Sequence, residues 1–282
     1  MQSAKSLSQV GSWKASLRLT YEMKHNKTVL AEREHSGPFK VQRSLYPEGL
    51  DCCHTYLLHP PGGLVNGDHL LLDVNCRQHS HVLITTPSAG KAYACASKTA
   101  RQDQRLRVGK GATLEFLPQE MIVFNAAKVE LSTHVRLAGD AKLMLFDCVV
   151  LGLSAGDELF VDGEVSQSII IQRNRMPLLI EKMAFSAADE FCTSIWGLNG
   201  NTCVFTLIAT PCDDAVLSKV RSLMETLASD VLSSATLIKD VLIVRVLSKE
   251  SHEAKECLER VWAEVRSDVV NKPASTPRIW MT

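Results

Sequence analysis

The sequence has no excess of charge of either sign and no long apolar run. Lysine plus arginine and aspartate plus glutamate each number 31 in 282 residues, so the formal net charge is zero. A nucleic-acid-binding protein would carry a basic excess, so we expect no nucleic-acid partner. The longest apolar region, residues 143 to 153, is interrupted by Asp147 and is shorter than the ~20 residues of a membrane helix. The N-terminal residues lack a signal-peptide pattern, so we expect a cytoplasmic protein with no membrane partner.

Paired cysteine motifs are also missing. The nine cysteines include no CxxC pair and no zinc-finger spacing, so neither a disulfide framework nor a standard zinc site is indicated. Cys52, Cys53 and His54 nevertheless cluster, and thiolate and imidazole are ligands that nickel or zinc accepts. If the following residues form a strand, His54 and His59 project to opposite faces. A stand-alone metal-binding protein therefore remains an alternative, with buried thiols and hydrogen-bonded histidines as the structural interpretation.

Alternation of apolar and polar residues with period two runs from residue 14 to about 210 and predicts half-buried strands. Residues 70–85, 104–117, 133–145 and 168–185 each predict a hairpin, because two such strands flank residues that tolerate tight turns. The turn centres near residues 79, 110, 139 and 174 are almost evenly spaced, as in a repeat structure. We therefore predict a mostly β fold of stacked hairpins in a solenoid-like coiled sheet.

Polar loops follow the second strand of three predicted hairpins, at residues 85–87, 117–120 and 152–158. Stacking in register would gather these loops at one edge. Loops on a rigid scaffold are where binding residues usually lie, so this edge is the expected functional region.

The pattern changes after residue 210. Apolar residues recur at helical spacing from Val216 to Leu227, with Asp213 as a plausible N-cap, and a second amphipathic helix follows at residues 254–265. Two short strands lie between them. We predict a β-rich body over residues 1–210 and an α+β portion over 211–282 packed on it, within one compact domain.

Residues 152–156 match G-x-S-x-G, the nucleophile elbow of α/β-hydrolases, with Ser154 as the nucleophile. The elbow needs a helix after the serine, and no helical pattern follows here. A glycine-rich turn is the structural interpretation, and a serine hydrolase remains an alternative function.

Acidic side chains interrupt otherwise apolar strands at Asp147 and Glu181. Together with Asp68 and Glu120 they would line a polar interior. Carboxylates suit hydrated, weakly held divalent cations better than permanent capture of soft metals. The segment from His59 to Asp68 is the most distinctive, since two prolines and paired glycines specify a tight turn with polar ends.

Several segments together resemble the urease accessory proteins of the UreD/UreH family. They cover nearly the whole chain in the family's order and comprise residues 37–43, 46–48, 56–68, 85–87, 114–120, 156–160 and 277–280. The runs Tyr-Leu-Leu-His-Pro-Pro-Gly-Gly and Leu-Pro-Gln-Glu are highly specific. The sequence departs from the family pattern at Ala94 and Leu153, where the family has arginine, so charge-based contacts of those loops do not carry over.

The resemblance implies a mostly β, non-enzymatic chaperone for urease maturation. It implies a UreF-like accessory protein as a partner, a UreG-like GTPase through it, and docking on the urease apoprotein. No cofactor would be held permanently, and nickel would pass in transit along Asp68, Asp147, Glu181 and Glu120. The expected partner-facing or structural residues are Arg43, Tyr46, His59, Pro60, Pro61, Gly62, Gly63, Thr86, Pro87, Lys91, Gln119 and Trp280.

Overall fold

The computed structural model of the chain describes residues 12–153, 158–227 and 231–281. The strands in these ranges are β1 (Lys14–Lys24), β2 (Lys27–Ser36), β3 (Lys40–Val41), β4 (Cys52–Leu58), β5 (His69–Cys76), β6 (His81–Thr85), β7 (Gly90–Ala92), β8 (Ala100–Val108), β9 (Thr113–Leu117), β10 (Met121–Val123), β11 (Ala127–Leu137), β12 (Lys142–Leu151), β13 (Gly163–Arg173), β14 (Met176–Ser186), β15 (Cys203–Thr210), β16 (Leu232–Ile238) and β17 (Val241–Ser248). The α-helices are α1 (Asp214–Met224) and α2 (Ser251–Val270).

The strands form two facing sheets. The first has the order β14-β13-β11-β8-β5-β1-β2, and the second has the order β16-β17-β15-β12-β9-β6-β4-β3. The short strands β7 and β10 pair in parallel with each other, and β10 also pairs in parallel with β12. The predicted mostly β, solenoid-like fold is confirmed, because successive strands of the central part coil between the two sheets and stack in parallel on the preceding turn.

Three of the four predicted hairpins are wrong in their pairing. β5 and β6, β8 and β9, and β11 and β12 are joined by tight turns, but the two strands of each pair lie in opposite sheets. Each pair is a β-arch, in which both strands turn apolar faces toward the same core instead of bonding to each other. Only the fourth, β13 with β14, is an antiparallel hairpin. The alternation pattern cannot distinguish the two arrangements, because a hairpin and an arch show the same two amphipathic strands around the same turn residues.

The four predicted turns do stack into a column. The amide of His79 donates to the Lys110 carbonyl (3.2 Å), and the amide of Gly111 donates to the Asp140 carboxylate (2.8 Å). The Gly139 amide in turn donates to the Asn174 side chain (2.9 Å). Gly111 has φ +68°, and a Cβ there would lie 2.5 Å from the His79 ring, so glycine is required at this turn.

Two hydrophobic cores lie between three layers, which are the first sheet, the second sheet and the pair of helices. The larger one lies between the sheets, and the second lies between the outer face of the second sheet and the helices α1 and α2. The predicted N-cap is confirmed, since the Asp213 carboxylate accepts a hydrogen bond from the Val216 amide (3.0 Å). Strands β15 to β17 extend the second sheet beyond β12, so the C-terminal strands and the central coil share one sheet. Among the described residues, no helix has the length and apolar character needed to cross a membrane.

Candidate functional site

A cavity lies between the two sheets at the edge where the loops at residues 85–87 and 117–120 meet. Its volume is about 460 Å³. The loops are joined by hydrogen bonds from the Gln119 amide to the Thr86 hydroxyl (2.9 Å) and from the Gly90 amide to the Glu120 carbonyl (2.8 Å). Its polar lining includes His59, Thr86, Lys91, Gln119, Glu120 and Asp147. The sequence expectation that polar loops gather beside a carboxylate-bearing interior therefore holds for the loops at residues 85–87 and 117–120, whereas residues 154–157 of the third loop lie outside the described residues.

Asp147 provides the carboxylate on the inner wall of this cavity. It lies on β12, points toward the first sheet and accepts a hydrogen bond from the Gln167 side chain of β13. Burial raises the pKa of Asp147 to about 6, the Gln167 hydrogen bond opposes the rise, and the charge of Glu181 adds to it. Cation binding is favourable for a carboxylate in this environment, because a nearby positive charge stabilises the ionised form.

Glu181 lies close enough to act on Asp147 but does not line the cavity. It projects from β14 across the gap between the sheets to an ion pair with Arg245 of β17. Asp147 and Arg245 occupy the same row of the second sheet, since both pair with Thr206. Of the predicted route residues, Glu181 is thus the one already balanced by a fixed positive charge.

A smaller cavity of about 240 Å³ adjoins the first and contains Asp68 in its wall. The Asp68 carboxylate is buried and accepts hydrogen bonds from the amides of Trp13 (2.8 Å) and Val65 (2.9 Å). Asp68 therefore fixes the turn after the paired glycines as well as presenting a carboxylate to the cavity.

His59 lines both cavities. It follows β4, and its ring packs edge-on against Phe39 with 6.3 Å between the ring centroids. Burial lowers the pKa of His59, while the charge of Asp68 partly opposes the change. The imidazole is therefore held toward its neutral, ligand-competent form.

The turn after His59 combines exposed and constrained positions. Pro60, Pro61 and Gly62 are exposed at the surface, and Gly63 lies beside β7. A Cβ on Gly63 would lie 2.6 Å from the Tyr93 ring and 2.8 Å from the Lys91 carbonyl oxygen, so no larger residue fits without a shift.

The remaining predicted residues divide between the loop edge and other parts of the surface. Gln119 accepts a hydrogen bond from Lys255 of α2, and Pro87 lies in the cavity wall. Arg43 is exposed and lies away from both cavities. The Tyr46 hydroxyl donates to the Thr28 carbonyl (3.0 Å), which indicates a structural role.

Trp280 anchors the C-terminal segment to the outer face of the second sheet. Its indole N–H donates to the Thr85 hydroxyl (2.8 Å), and its ring stacks on Phe146 with 6.1 Å between centroids. Since Phe146 precedes Asp147 on the same strand, this packing helps to fix the strand that carries the cavity carboxylate.

The predicted trio of Cys52, Cys53 and His54 is not brought together. Cys53 faces the core between the sheets, whereas Cys52 and His54 face α2. The His54 ring bonds to Glu48 at 2.6 Å. Burial raises the pKa of the Cys52 thiol, and the charges of Glu48 and Glu115 add to the rise. The raised pKa disfavours the thiolate that a soft metal needs.

A buried ionic network surrounds those residues, and sequence reasoning missed it. The Arg266 guanidinium of α2 is fully buried and donates to both Glu115 oxygens (2.8 Å each) and to both Glu48 oxygens (2.6 and 2.9 Å). Burial would raise the pKa of both glutamates, but hydrogen bonds from Arg266 and from His54 or His81 outweigh it and lower each pKa to about 2. The guanidinium supplies the positive charge that a metal ion would otherwise bring.

A signal for this network was present in the sequence. Glu115 interrupts the apolar run Leu114 to Leu117, and Arg266 follows Val265 on the apolar side of the second helix. A charged residue at a buried register position requires a partner. The partner of Glu115 lies 151 residues away, so only the fold identifies it.

Ser154 of the G-x-S-x-G motif lies outside the described residues. The described residues that follow, 158–162, form no helix, and the next element is the strand β13. The strand–serine–helix arrangement of a nucleophile elbow is therefore missing on its helical side within the described part of the chain.

Comparison with known proteins gives the chain's relatives. The family model of the UreD urease accessory protein matches residues 14–281. A urease accessory protein UreD from Alcanivorax borkumensis is 38% identical over 285 residues, covering 100% of this chain and 96% of the relative. Those from Alkalilimnicola ehrlichii (36% over 270 residues, covering 96% and 92%) and Saccharophagus degradans (38% over 278 residues, covering 96% and 93%) are similar in extent. The matches span both sheets and both helices.

Proposed function

Because the chain belongs to the UreD family of urease accessory proteins, we propose that it is a urease maturation scaffold without chemistry of its own. It assembles with a UreF-like accessory protein, and through it with a UreG-like GTPase, on the urease apoprotein. It aids nickel delivery by offering the cation a route through the cavities between its sheets. The observation that carries this proposal is Asp147, a carboxylate held in the cavity wall without a positive partner among the described residues.

The lining of the larger cavity suits passage of a cation better than retention. Its carboxylates are Asp147 and Glu120, and oxygen ligands hold hydrated divalent cations loosely. The one sulfur that would bind nickel tightly is Cys148, and burial together with the charges of Asp147 and Glu120 raises its pKa well above 9.0. A thiol kept protonated is a weak ligand, so the cavity lacks a soft-metal trap at that position.

Exposed apolar side chains offer a surface for partner assembly. Ile195 is 88% exposed and Trp196 is 69% exposed in the segment after β14, while Leu159 and Val161 are exposed before β13. The two segments are linked by a hydrogen bond from the Ala187 amide to the Gly163 carbonyl at 3.0 Å. Neighbouring exposed apolar residues such as Ile195 and Trp196 are typical of protein interaction sites.

The route is tested by removing carboxylate charge while preserving shape. Asp147→Asn and Glu120→Gln each keep one oxygen that can accept a hydrogen bond, but replace the charged ligands of the larger cavity with neutral amides. We expect the double variant to assemble with its partners and with urease apoprotein in a pull-down, and to lose urease activation when the proteins are co-expressed. The matched control is Glu34→Gln plus Glu164→Gln, which changes two exposed carboxylates on the first sheet.

Two outcomes would separate the parts of the proposal. Full activation by the Asp147→Asn, Glu120→Gln variant would exclude the route and leave a docking scaffold. Loss of urease from the pull-down of the unaltered chain would exclude the scaffold itself.

A further inference from the structure

The two cavities share a wall built from four residues, His59, Gly63, Leu64 and Leu70. Only His59 among them has a side chain that can bind a cation. Asp68 lies on the smaller-cavity side of this wall, and Asp147 lies on the larger-cavity side. His59 therefore stands at the boundary between the cavity that contains Asp68 and the cavity that contains Asp147.

The His59 ring is positioned by packing, and its nitrogens make no hydrogen bond within the described residues. Its backbone carbonyl accepts a hydrogen bond from the Gly62 amide (3.3 Å), and its ring packs against Phe39. His54, five residues earlier and on β4, bonds to Glu48 through a ring nitrogen, and His69 in the smaller cavity bonds to Asp103 at 2.7 Å. No described residue hydrogen-bonds to a ring nitrogen of His59, so both nitrogens are available.

Nitrogen at this position changes which cations the route accepts. Oxygen ligands alone suit Mg²⁺ and Ca²⁺, which are abundant competitors, whereas imidazole suits nickel, copper and zinc. The carboxylates of Asp68 and Asp147 would provide charge on each side without discriminating among divalent cations.

Resting on the route proposed above, we propose that His59 is a transient nitrogen ligand for the divalent transition-metal cation in the wall between the cavities. It bridges an oxygen environment at Asp68 and another at Asp147, and it favours nickel over magnesium or calcium. The residue thereby sets the nickel concentration at which the chain works.

The test compares His59→Phe and His59→Gln with the unaltered chain. Phenylalanine keeps the ring contact with Phe39 but removes both nitrogens, and glutamine keeps polarity but removes the imidazole. Urease activation is measured in cells that co-express the urease proteins over a series of nickel concentrations, with and without excess Mg²⁺. We expect either variant to need about tenfold more nickel for half-maximal activation, or more, and to be inhibited further by Mg²⁺.

A matched control is His134→Gln, since His134 lies on the outer face of the first sheet and contacts Gln172. It should leave the nickel dependence unchanged. Titration of the purified full chain with Ni²⁺ by calorimetry gives a readout independent of urease, and the same loss of affinity is expected there for both His59 variants.

Asp147→Asn, assayed in the same series, separates this inference from the route itself. If Asp147→Asn abolishes activation and either soluble His59 variant keeps the unaltered nickel dependence, the assignment of His59 is wrong and the route stands. If Asp147→Asn activates urease normally, both the route and the role of His59 are overturned.

Discussion

Replacing Asp147 by asparagine should stabilise the fold. The buried carboxylate has its pKa raised from 3.8 to about 6, so its ionised form lowers the stability of the folded chain. Complete ionisation above pH 6 corresponds to a cost of about 3 kcal/mol. Asparagine removes the charge and still accepts the hydrogen bond from Gln167. At pH 7.5 we expect the Asp147→Asn chain to be about 1–3 kcal/mol more stable, which raises the melting temperature by several degrees.

The sign of the pH dependence makes this prediction specific. A raised carboxyl pKa leaves the folded state unpenalised below pH 3.8 and penalises it increasingly as the pH rises through about 6. The advantage of Asp147→Asn, followed by thermal unfolding at several pH values, should therefore shrink toward zero as the pH falls from 7 to 4. Asp140→Asn is the control, because a backbone hydrogen bond from Gly111 lowers the pKa of this exposed residue. Removing the charge of Asp140 should therefore give no stabilisation. An Asp147→Asn chain no more stable at pH 7.5 than the unaltered one would refute the reasoning.

Three further outcomes are expected for the buried network and the C-terminal anchor. Arg266→Met should cost about 3–5 kcal/mol in urea unfolding, because Glu48 and Glu115 then lose their buried partner; a cost below about 1 kcal/mol would contradict the network's role. Those two glutamates have pKa values lowered to about 2, so their ionised forms stabilise the fold fully above pH 4.5, and the free energy of unfolding should fall as the pH drops from about 4.5 toward 2. A free energy of unfolding that stays constant over this pH range would argue against the prediction. Trp280→Phe should keep the stacking but lose one hydrogen bond, costing about 1 kcal/mol by the same assay, whereas the exposed Trp196→Phe should change nothing.

Much of the fold was predictable because its strands are amphipathic and its turns use residues with special backbone freedom. The even spacing of those turns does reflect a physical column, as the bond between Gly111 and Asp140 shows. The pairing of strands was not predictable in the same way. A strand such as β6 packs its apolar side against β5 across the core, but forms its backbone hydrogen bonds with β4 and β9. Local alternation of apolar and polar residues carries no information about those bonding partners.

The candidate site was predictable to the extent that charge in an apolar strand is unusual. Asp147 attracted attention for that reason, and the structure places it in the cavity wall. The roles of Glu181 and His59 were not predictable, because they depend on Arg245 across the sheet gap and on a wall shared by two cavities. The Cys52, Cys53 and His54 hypothesis placed side chains together by proximity in sequence, whereas alternate residues of a strand face opposite ways.

The most direct test of the nickel route is the nickel content of urease matured with the Asp147→Asn chain. Urease would be isolated from cells expressing all accessory proteins, and nickel per active site would be measured by mass spectrometry of the digested protein. We expect the variant chain to remain bound to its partners while urease carries little nickel, well below urease matured with Asp140→Asn. Normal nickel content in urease matured with a folded, assembled Asp147→Asn chain would contradict the central claim.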